Sequence, residues 1–296
     1  MSGGNVAGRE LRVALTQMQP SLDVRRNLRI VLELVRQAGE READLIVLPE
    51  NALCIGSNQK MREAAIRLDG PELDALRAAA REVRAVVVLG GAKCLGSDGE
   101  IRNSALVIDA QGEIAACYDK LHLFNATVAG TVFNASAVEQ AGDHMQIVEV
   151  KGVKVGLSIC YDIRFPEMYR SLARAGAQVL LIPAAFTYTT GQAHWEVLVR
   201  ARAIESGAYV IASATIRGDH SAQEGFETWG HALAVDPWGA VLADLGTAQQ
   251  AVQIVSLRMS EVERIRTSLP VLGGGRHDVY GQQPASAVIS KGEGDA

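Results

Sequence analysis

Short apolar runs of strand type recur along the whole chain, and between them lie segments whose apolar residues return at helical spacing. Strand-like runs cover 11–17, 44–49, 85–91, 103–109, 114–118, 146–150, 154–159, 178–183, 208–214, 231–236 and 251–256. Helix-like segments cover 24–41, 71–83, 166–175, 192–206 and 260–267; in the first of these Val24, Leu28, Val31, Leu32 and Val35 recur at helical spacing. A further short β-pair, Ala232–Val235 with Val241–Ala243, flanks the turn signal Asp236-Pro237-Trp238-Gly239. Two sets of strands alternating with helices must bury their apolar faces in layers, so an α/β layered fold is expected. No internal repeat and no Pro/Ser-rich linker divides the chain. A single domain over 9–281 is therefore expected, with the polar, Gly-containing stretch 282–296 as a mobile C-terminal tail.

Composition removes several function classes. A formal charge of −5 leaves no basic footprint for nucleic acid or for an anionic membrane surface. No apolar run reaches the roughly 18 residues needed to cross a bilayer. The stretch Met1 to Glu10 is small and polar and lacks the apolar core of a signal peptide. Cys54, Cys94, Cys117 and Cys160 show no C-x-x-C spacing and read as free thiols in a reducing compartment, with the cytoplasm as the expected location. His122, His144, His194, His220, His231 and His277 are scattered without metal-ligand spacing, so neither a metal nor another cofactor is expected. His122, His194 and His231 read as hydrogen-bonded structural residues.

Three segments carry chemistry. The run Lys154-Val155-Gly156-Leu157-Ser158-Ile159 leads into Cys160, and Tyr161-Asp162-Ile163-Arg164-Phe165 then leads into Pro166 at a first helical position. Unpaired N–H groups at that helix start would favour a thiolate on Cys160. A lone cysteine is as readily a buried small hydrophobe. Asp44-Leu45-Ile46-Val47-Leu48-Pro49 is an apolar run that ends on the carboxylate of Glu50. Cys117-Tyr118-Asp119 delivers Lys120 just after another apolar stretch. Taken singly, Glu50 reads equally as a solvated loop carboxylate and Lys120 as a surface cation.

Taken together, Glu50, Lys120 and Cys160 resemble the Glu-Lys-Cys triad of the nitrilase superfamily of carbon–nitrogen hydrolases. The resemblance runs from Val13-Ala14-Leu15-Thr16-Gln17 to about Tyr280. It is nearest to the omega-amidase and deaminated-glutathione-amidase branch. That likeness rests on Cys160-Tyr161-Asp162-Ile163-Arg164-Phe165, Ala185-Phe186, Thr189-Thr190-Gly191, Ala193-His194-Trp195-Glu196, Arg200-Ala201-Arg202-Ala203, Trp229-Gly230-His231 and Val235-Asp236-Pro237-Trp238-Gly239. The resemblance implies a four-layer α-β-β-α sandwich that forms a homodimer or a higher homo-oligomer. It also implies hydrolysis of a small-molecule amide through a thioester, with release of ammonia. Glu50 would be the base, Cys160 the nucleophile, and Lys120 with the Tyr161 backbone N–H the oxyanion donors. Arg164 is a candidate for pairing with a substrate carboxylate, or else is locked in a structural pair with Asp162 or Glu167. Phe186, Thr187, Tyr188 and Thr189 are candidates for the pocket wall.

The chain departs from the family pattern at one position of chemical weight. Members carry a second glutamate in an F-x-E-S stretch eight residues before the aspartate of a Gly-Asp pair, where this chain has Phe133-Asn134-Ala135-Ser136 and Gly142-Asp143. Ala135 thus stands where a substrate-positioning glutamate is expected. Three explanations compete: a substitution introduced to impair turnover, a natural divergence, or transfer of the role to Glu139. Asn125-Ala126-Thr127 also replaces the acidic D-x-[DE] of omega-amidases, which points to a different substrate. An N-carbamoyl amidase is the alternative enzyme, since it shares the triad. A true nitrilase fits less well, because Tyr161-Asp162 follows the cysteine where that branch has tryptophan and glutamate. A non-catalytic amide-binding protein is the alternative of another class.

Overall fold

The computed structural model describes residues 8–217 and 226–280; the tail expected over 282–296 lies outside them. The first half of the chain forms β1 (Glu10–Met18), α1 (Val24–Glu40), β2 (Leu45–Val47), α2 (Asn58–Glu63), β3 (Ile66–Arg67), α3 (Pro71–Val83), β4 (Val86–Leu95), β5 (Ile101–Ile108), β6 (Ile114–Asp119), β7 (Asn125–Val128) and β8 (Thr131–Asn134). The second half forms β9 (Ile147–Val150), β10 (Val153–Gly156), α4 (Pro166–Arg174), β11 (Val179–Leu181), α5 (Tyr188–Ser206), β12 (Tyr209–Ala212), β13 (Ala214–Arg217), β14 (Thr228–Trp229), β15 (Leu233–Val235), β16 (Val241–Asp244), β17 (Gln250–Arg258), α6 (Met259–Ser268) and α7 (His277–Tyr280).

Two large sheets result. One follows the order β14-β13-β1-β2-β4-β5-β6, with β17 antiparallel along the full length of β1 and β3 on β4. The other follows β16-β15-β12-β11-β10-β9. Alternation along the strands decides which layer each side chain enters. Leu11, Val13, Leu15, Leu45 and Val47 pack in one core with Val153, Val155, Val179 and Leu180 of the second sheet. Ala14, Met18, Ile46 and Leu48, on the opposite face, pack with Val31, Leu34 and Val35 of α1 and Leu73, Leu76 and Ala80 of α3. Tyr169 and Leu172 of α4, with Trp195 and Val199 of α5, belong to the same core as the second sheet. The result is a mixed α/β fold with the helix–sheet–sheet–helix layering expected.

Helix ends obey local chemistry. Asp23 caps α1 by accepting the Arg26 N–H at 2.9 Å, and Pro71 and Pro166 open α3 and α4. The strand run expected over 208–214 divides in two: β12 belongs to the second sheet and β13 to the first. Ser213, at the crossing, donates to the Val47 carbonyl at 2.7 Å and accepts the Thr16 N–H at 3.1 Å. The strand expected over 154–159 ends at Gly156, and the chain runs on extended, with Leu157 N–H on the Gln146 carbonyl at 3.0 Å and Cys160 N–H on the Pro183 carbonyl at 2.9 Å, before it turns at Cys160. The helix α2 and the β7–β8 hairpin add to the elements expected from the apolar pattern.

Candidate active site

Glu50 lies just past the C-terminal end of β2, an interior strand between β1 and β4, and is 3 % exposed. It reaches its position through a gap made by glycine. The β4–β5 register shifts between Leu89 and Ala92, and a Cβ on Gly90 would lie 1.9 Å from the Leu48 carbonyl and 2.3 Å from Pro183. Gly91, at φ 140°, lies so close that its Cβ would meet the Glu50 Cγ at 3.1 Å. Glu50 Oε1 accepts from Lys120 Nζ at 2.8 Å and from Asn103 Nδ2 at 2.9 Å, while Oε2 accepts the Ala185 N–H at 2.9 Å. Lys120 follows β6, and its backbone N–H is held by the Asn103 carbonyl at 2.9 Å. Asn103 thus fixes both charged residues. Its role was not anticipated, since an asparagine inside a strand run carries no signal until the strand order is known.

Cys160 completes the convergence: it lines the same cleft as Glu50 and Lys120, near enough for the Glu50 carboxylate to act on its thiol. It stands at φ 49°, a left-handed conformation costly for a residue with a side chain, at the start of a 3-10 turn over Cys160–Arg164. Buried Asp162 holds this turn. It accepts the Ile159 N–H at 2.8 Å, the Tyr118 hydroxyl at 2.7 Å and the His122 N–H at 3.1 Å, and lies 2.7 Å from His122 Nδ1. From α5, Arg202 Nε donates to the Ile163 carbonyl at 2.6 Å. The Tyr161 N–H falls in the first turn of the 3-10 segment, where a donor has no intrahelical partner. Phe165 and Pro166 lead into α4 as expected.

The electrostatics differ from the expectation of a thiolate. Burial and the Glu50 carboxylate beside it push the Cys160 thiol well above its ordinary value, against the pull of Lys120, so it rests protonated. Burial also acts to raise Glu50, but the Lys120 and Lys93 charges and the hydrogen bond from Lys120 override it and hold the carboxylate at about 2. Lys120 is opposed by burial but held firmly charged by Glu50. The resting site is a neutral thiol, a carboxylate and an ammonium. In such a set sulfur can give its proton to the carboxylate as it becomes a nucleophile.

These groups lie in a cleft of about 620 Å³, counting the space open to solvent at its mouth. Aromatic rings wall it: Phe124 lies 4.9 Å from both Phe133 and Tyr161, and Phe133 lies 5.3 Å from Phe226. Phe133 is supplied by the hairpin that the strand pattern did not reveal. Phe186 and Thr187 line the cleft, and so does Thr190. Tyr188 and Thr189 are not among its lining; Tyr188 is 44 % exposed and turns edge-on to Trp229 at 5.2 Å. Arg164 pairs with neither Asp162 nor Glu167. Its guanidinium lies 5.1 Å from the Phe186 ring centroid and donates toward His194 Nδ1 at 3.4 Å. Ala135 lines the cleft, and so do Glu139 and Lys93. Lys93 was unforeseen; a charged residue within a buried strand was the available signal. His122, stacked on Phe165 at 3.6 Å, and His231, 3.1 Å from Asp244, occupy structural positions as expected.

The family model described as carbon-nitrogen hydrolase matches residues 12–267. The chain is 33% identical over 265 residues to a deaminated glutathione amidase of Yersinia enterocolitica, covering 88% of this chain and 91% of that one. It is 34% identical over 273 residues to the omega-amidase NIT2 of Mus musculus, covering 91% of this chain and 96% of the relative. The crystal structure of the NitFhit protein of C. elegans superposes with a TM-score of 0.84 at 34% identity, covering 93% of this chain and 67% of that one. A mutant amidase from Nesterenkonia sp. AN1, showing Michael addition of acrylamide at its active-site cysteine, gives 0.71 at 25% identity, covering 88% and 98%. The chain therefore belongs to the carbon–nitrogen hydrolase family of the nitrilase superfamily and is a hydrolase of carbon–nitrogen bonds other than peptide bonds.

Proposed function

We propose that the protein is an amidase that hydrolyses a small carboxamide through a thioester on Cys160 and releases ammonia. The observation that carries this reading is the meeting of three buried groups in one cleft, the Cys160 thiol with the Glu50 carboxylate and the Lys120 ammonium, the last two in contact at 2.8 Å. Glu50 takes the thiol proton as sulfur bonds to the amide carbon. The carbonyl oxygen becomes an oxyanion that accepts from Lys120 Nζ and the Tyr161 N–H. Loss of one such donor typically costs about 3–4 kcal/mol of transition-state stabilisation. Protonated Glu50 then gives its proton to nitrogen, the C–N bond breaks and ammonia leaves. Glu50 next takes a proton from water as the hydroxyl attacks the thioester, and the departing sulfur recovers that proton.

The substrate class is read from the mouth of the cleft. Arg164 lies among aromatic rings with no carboxylate partner among the described residues, which suits an amide that carries a carboxylate at its far end. The relatives' names, deaminated glutathione amidase and omega-amidase, support the same class. The exposed side chains of Val197, Ile204, Trp238, Val241 and Leu242 support a homodimer, Ile204 lying against the turn that holds Trp238. Light scattering coupled to size exclusion checks that assignment. No helix among the described residues is long and apolar enough to cross a membrane, and the cytoplasm remains the proposed location.

The experiment is ammonia release from α-ketoglutaramate, glutaramate, simple aliphatic amides and N-carbamoyl compounds, with Cys160→Ala as control. Turnover of carboxylate-bearing amides that vanishes in the control is the expected result. Release of ammonia only from N-carbamoyl compounds would move the assignment to that class, and binding without any turnover would make the chain an amide-binding protein.

A further inference from the structure

A second buried ion pair lies in the same cleft and is unused by the mechanism above. Lys93 Nζ lies 2.6 Å from Glu139 Oε1, with side chains 8% and 3% exposed. Lys93 is the cross-strand partner of Asn103, the residue that fixes Glu50 and Lys120. Glu139 follows a 3-10 turn over Ala135–Ala137, and its N–H is held by the Ala135 carbonyl at 3.0 Å. The next residue is anchored to the sheet by its N–H, which donates to the Ile101 carbonyl at 2.8 Å. Buried ion pairs seldom stabilise a fold more than apolar residues of similar volume would. Stability alone therefore gives no reason for this one to line the cleft.

The polar inventory of the cleft indicates what the pair is for. Asn51 Oδ1 and Asn103 Oδ1 are buried acceptors without a hydrogen-bond partner in the protein, and both residues line the cleft. Glu139 is a third acceptor there, and a carboxylate has capacity for more than its one ion pair. Acceptors lacking donors call for a ligand that brings N–H groups. A primary amide brings two on one nitrogen; a nitrile or an ester brings none. The charges also reach the triad: Lys93 helps to hold Glu50 ionised, and Glu139 helps to hold Lys120 charged.

We propose that Glu139, clamped by Lys93, positions the N–H₂ of the substrate amide, and that this pair takes the place of a carboxylate at position 135. The proposal rests on the reading of Cys160 as the nucleophile toward an amide. Ala135 is then neither an impairment nor a gap, since the carboxylate enters the cleft from the far end of the same short turn. The pair orients the amide nitrogen toward Glu50, which must protonate it, and leaves the carbonyl oxygen to Lys120.

The test compares reagents with and without N–H groups. Cys160 is alkylated with iodoacetamide and with methyl iodoacetate, followed by peptide mapping, in the wild type and in Glu139→Gln, Lys93→Met and Ala135→Glu. Ammonia release from primary amides is measured alongside. Glu139→Gln should slow alkylation by iodoacetamide about tenfold or more, the loss of one charged hydrogen bond, and leave methyl iodoacetate within about twofold; Lys93→Met, which also removes a charge acting on Glu50, should slow iodoacetamide the more of the two. Amide turnover should fall in parallel, and Ala135→Glu should not raise it. Equal slowing with both reagents would assign the pair a structural role and overturn the proposal, as would no slowing with either. A tenfold or greater gain in turnover from Ala135→Glu, an order-of-magnitude threshold, would also overturn it. Selective slowing in a protein that releases no ammonia would retain the positioning role and defeat the hydrolytic reading alone.

Discussion

Replacing Lys120 by methionine tests the electrostatic core of the site. Lys120 Nζ lies 2.8 Å from Glu50 Oε1, with side chains only 5% and 4% exposed. The displacement of Glu50 from its ordinary 4.5 to about 2 corresponds to about 3 kcal/mol favouring the carboxylate in the folded protein. That stabilisation is complete above the ordinary value and is lost as pH falls through about 2. Without Lys120, the cation that remains is Lys93, and burial then drives the Glu50 carboxyl upward. Breaking a buried pair typically costs about 3–5 kcal/mol, so Lys120→Met should lose about that much unfolding free energy at pH 7. The deficit should shrink toward about pH 4.5, where protonation relieves the unpaired carboxylate. Turnover should fall on the order of a hundred- to a thousandfold through loss of an oxyanion donor. Urea unfolding at both pH values and ammonia release provide the assay. A deficit below about 1 kcal/mol at pH 7, the range of an exposed pair, or one independent of pH, would refute the reasoning.

Other consequences arise from the same geometry. Arg164→Ala should raise KM for carboxylate-bearing amides about tenfold or more and leave neutral amides nearly unchanged, since a charged hydrogen bond contributes about 1.5–3 kcal/mol; steady-state kinetics on both classes checks it. Asp162→Ala removes the acceptor of the Ile159, Tyr118 and His122 donors, so it should cost about 3 kcal/mol or more and abolish turnover, measured by thermal unfolding and ammonia release. Because Glu50 is held at about 2 while Cys160 and Lys120 are both pushed upward, kcat/KM should be flat from about pH 5 to pH 9. A limb near neutrality in the pH profile would contradict that assignment.

The residues with the clearest signals in the sequence were those whose chemistry contrasts with their surroundings. Glu50 and Lys120 each follow an apolar strand, and Cys160 precedes a proline that starts a helix, so their convergence could be anticipated once the family pattern was recognised. The amphipathic helices α1 and α3 were equally legible, with bounds within a residue of those observed. The β7–β8 hairpin was not, because Asn125-Ala126-Thr127-Val128 offers only Ala126 and Val128 on one face, too short an apolar run to stand out; it contributes Phe133 to the cleft wall. The division of 208–214 between two sheets leaves no mark in hydropathy, since both halves are buried and only Ser213, bonded to Val47 and Thr16, marks the crossing. The thiolate expected at Cys160 failed for a physical reason: burial beside a carboxylate outweighs the partial charges of a helix start. Glu139 was visible only as an alternative to Ala135, because its partner Lys93 lies 46 residues earlier and meets it only in the fold.

The most direct measurement is detection of the covalent intermediate. Wild-type protein mixed with a hydrolysed amide, quenched in acid and digested, should yield the Cys160 peptide carrying the acyl group, with a mass gain equal to the amide less ammonia. The adduct should vanish in Cys160→Ala and should release a hydroxamate on treatment with hydroxylamine. Turnover that persists in Cys160→Ala, or an acyl group on any other side chain, would contradict hydrolysis through a thioester at Cys160.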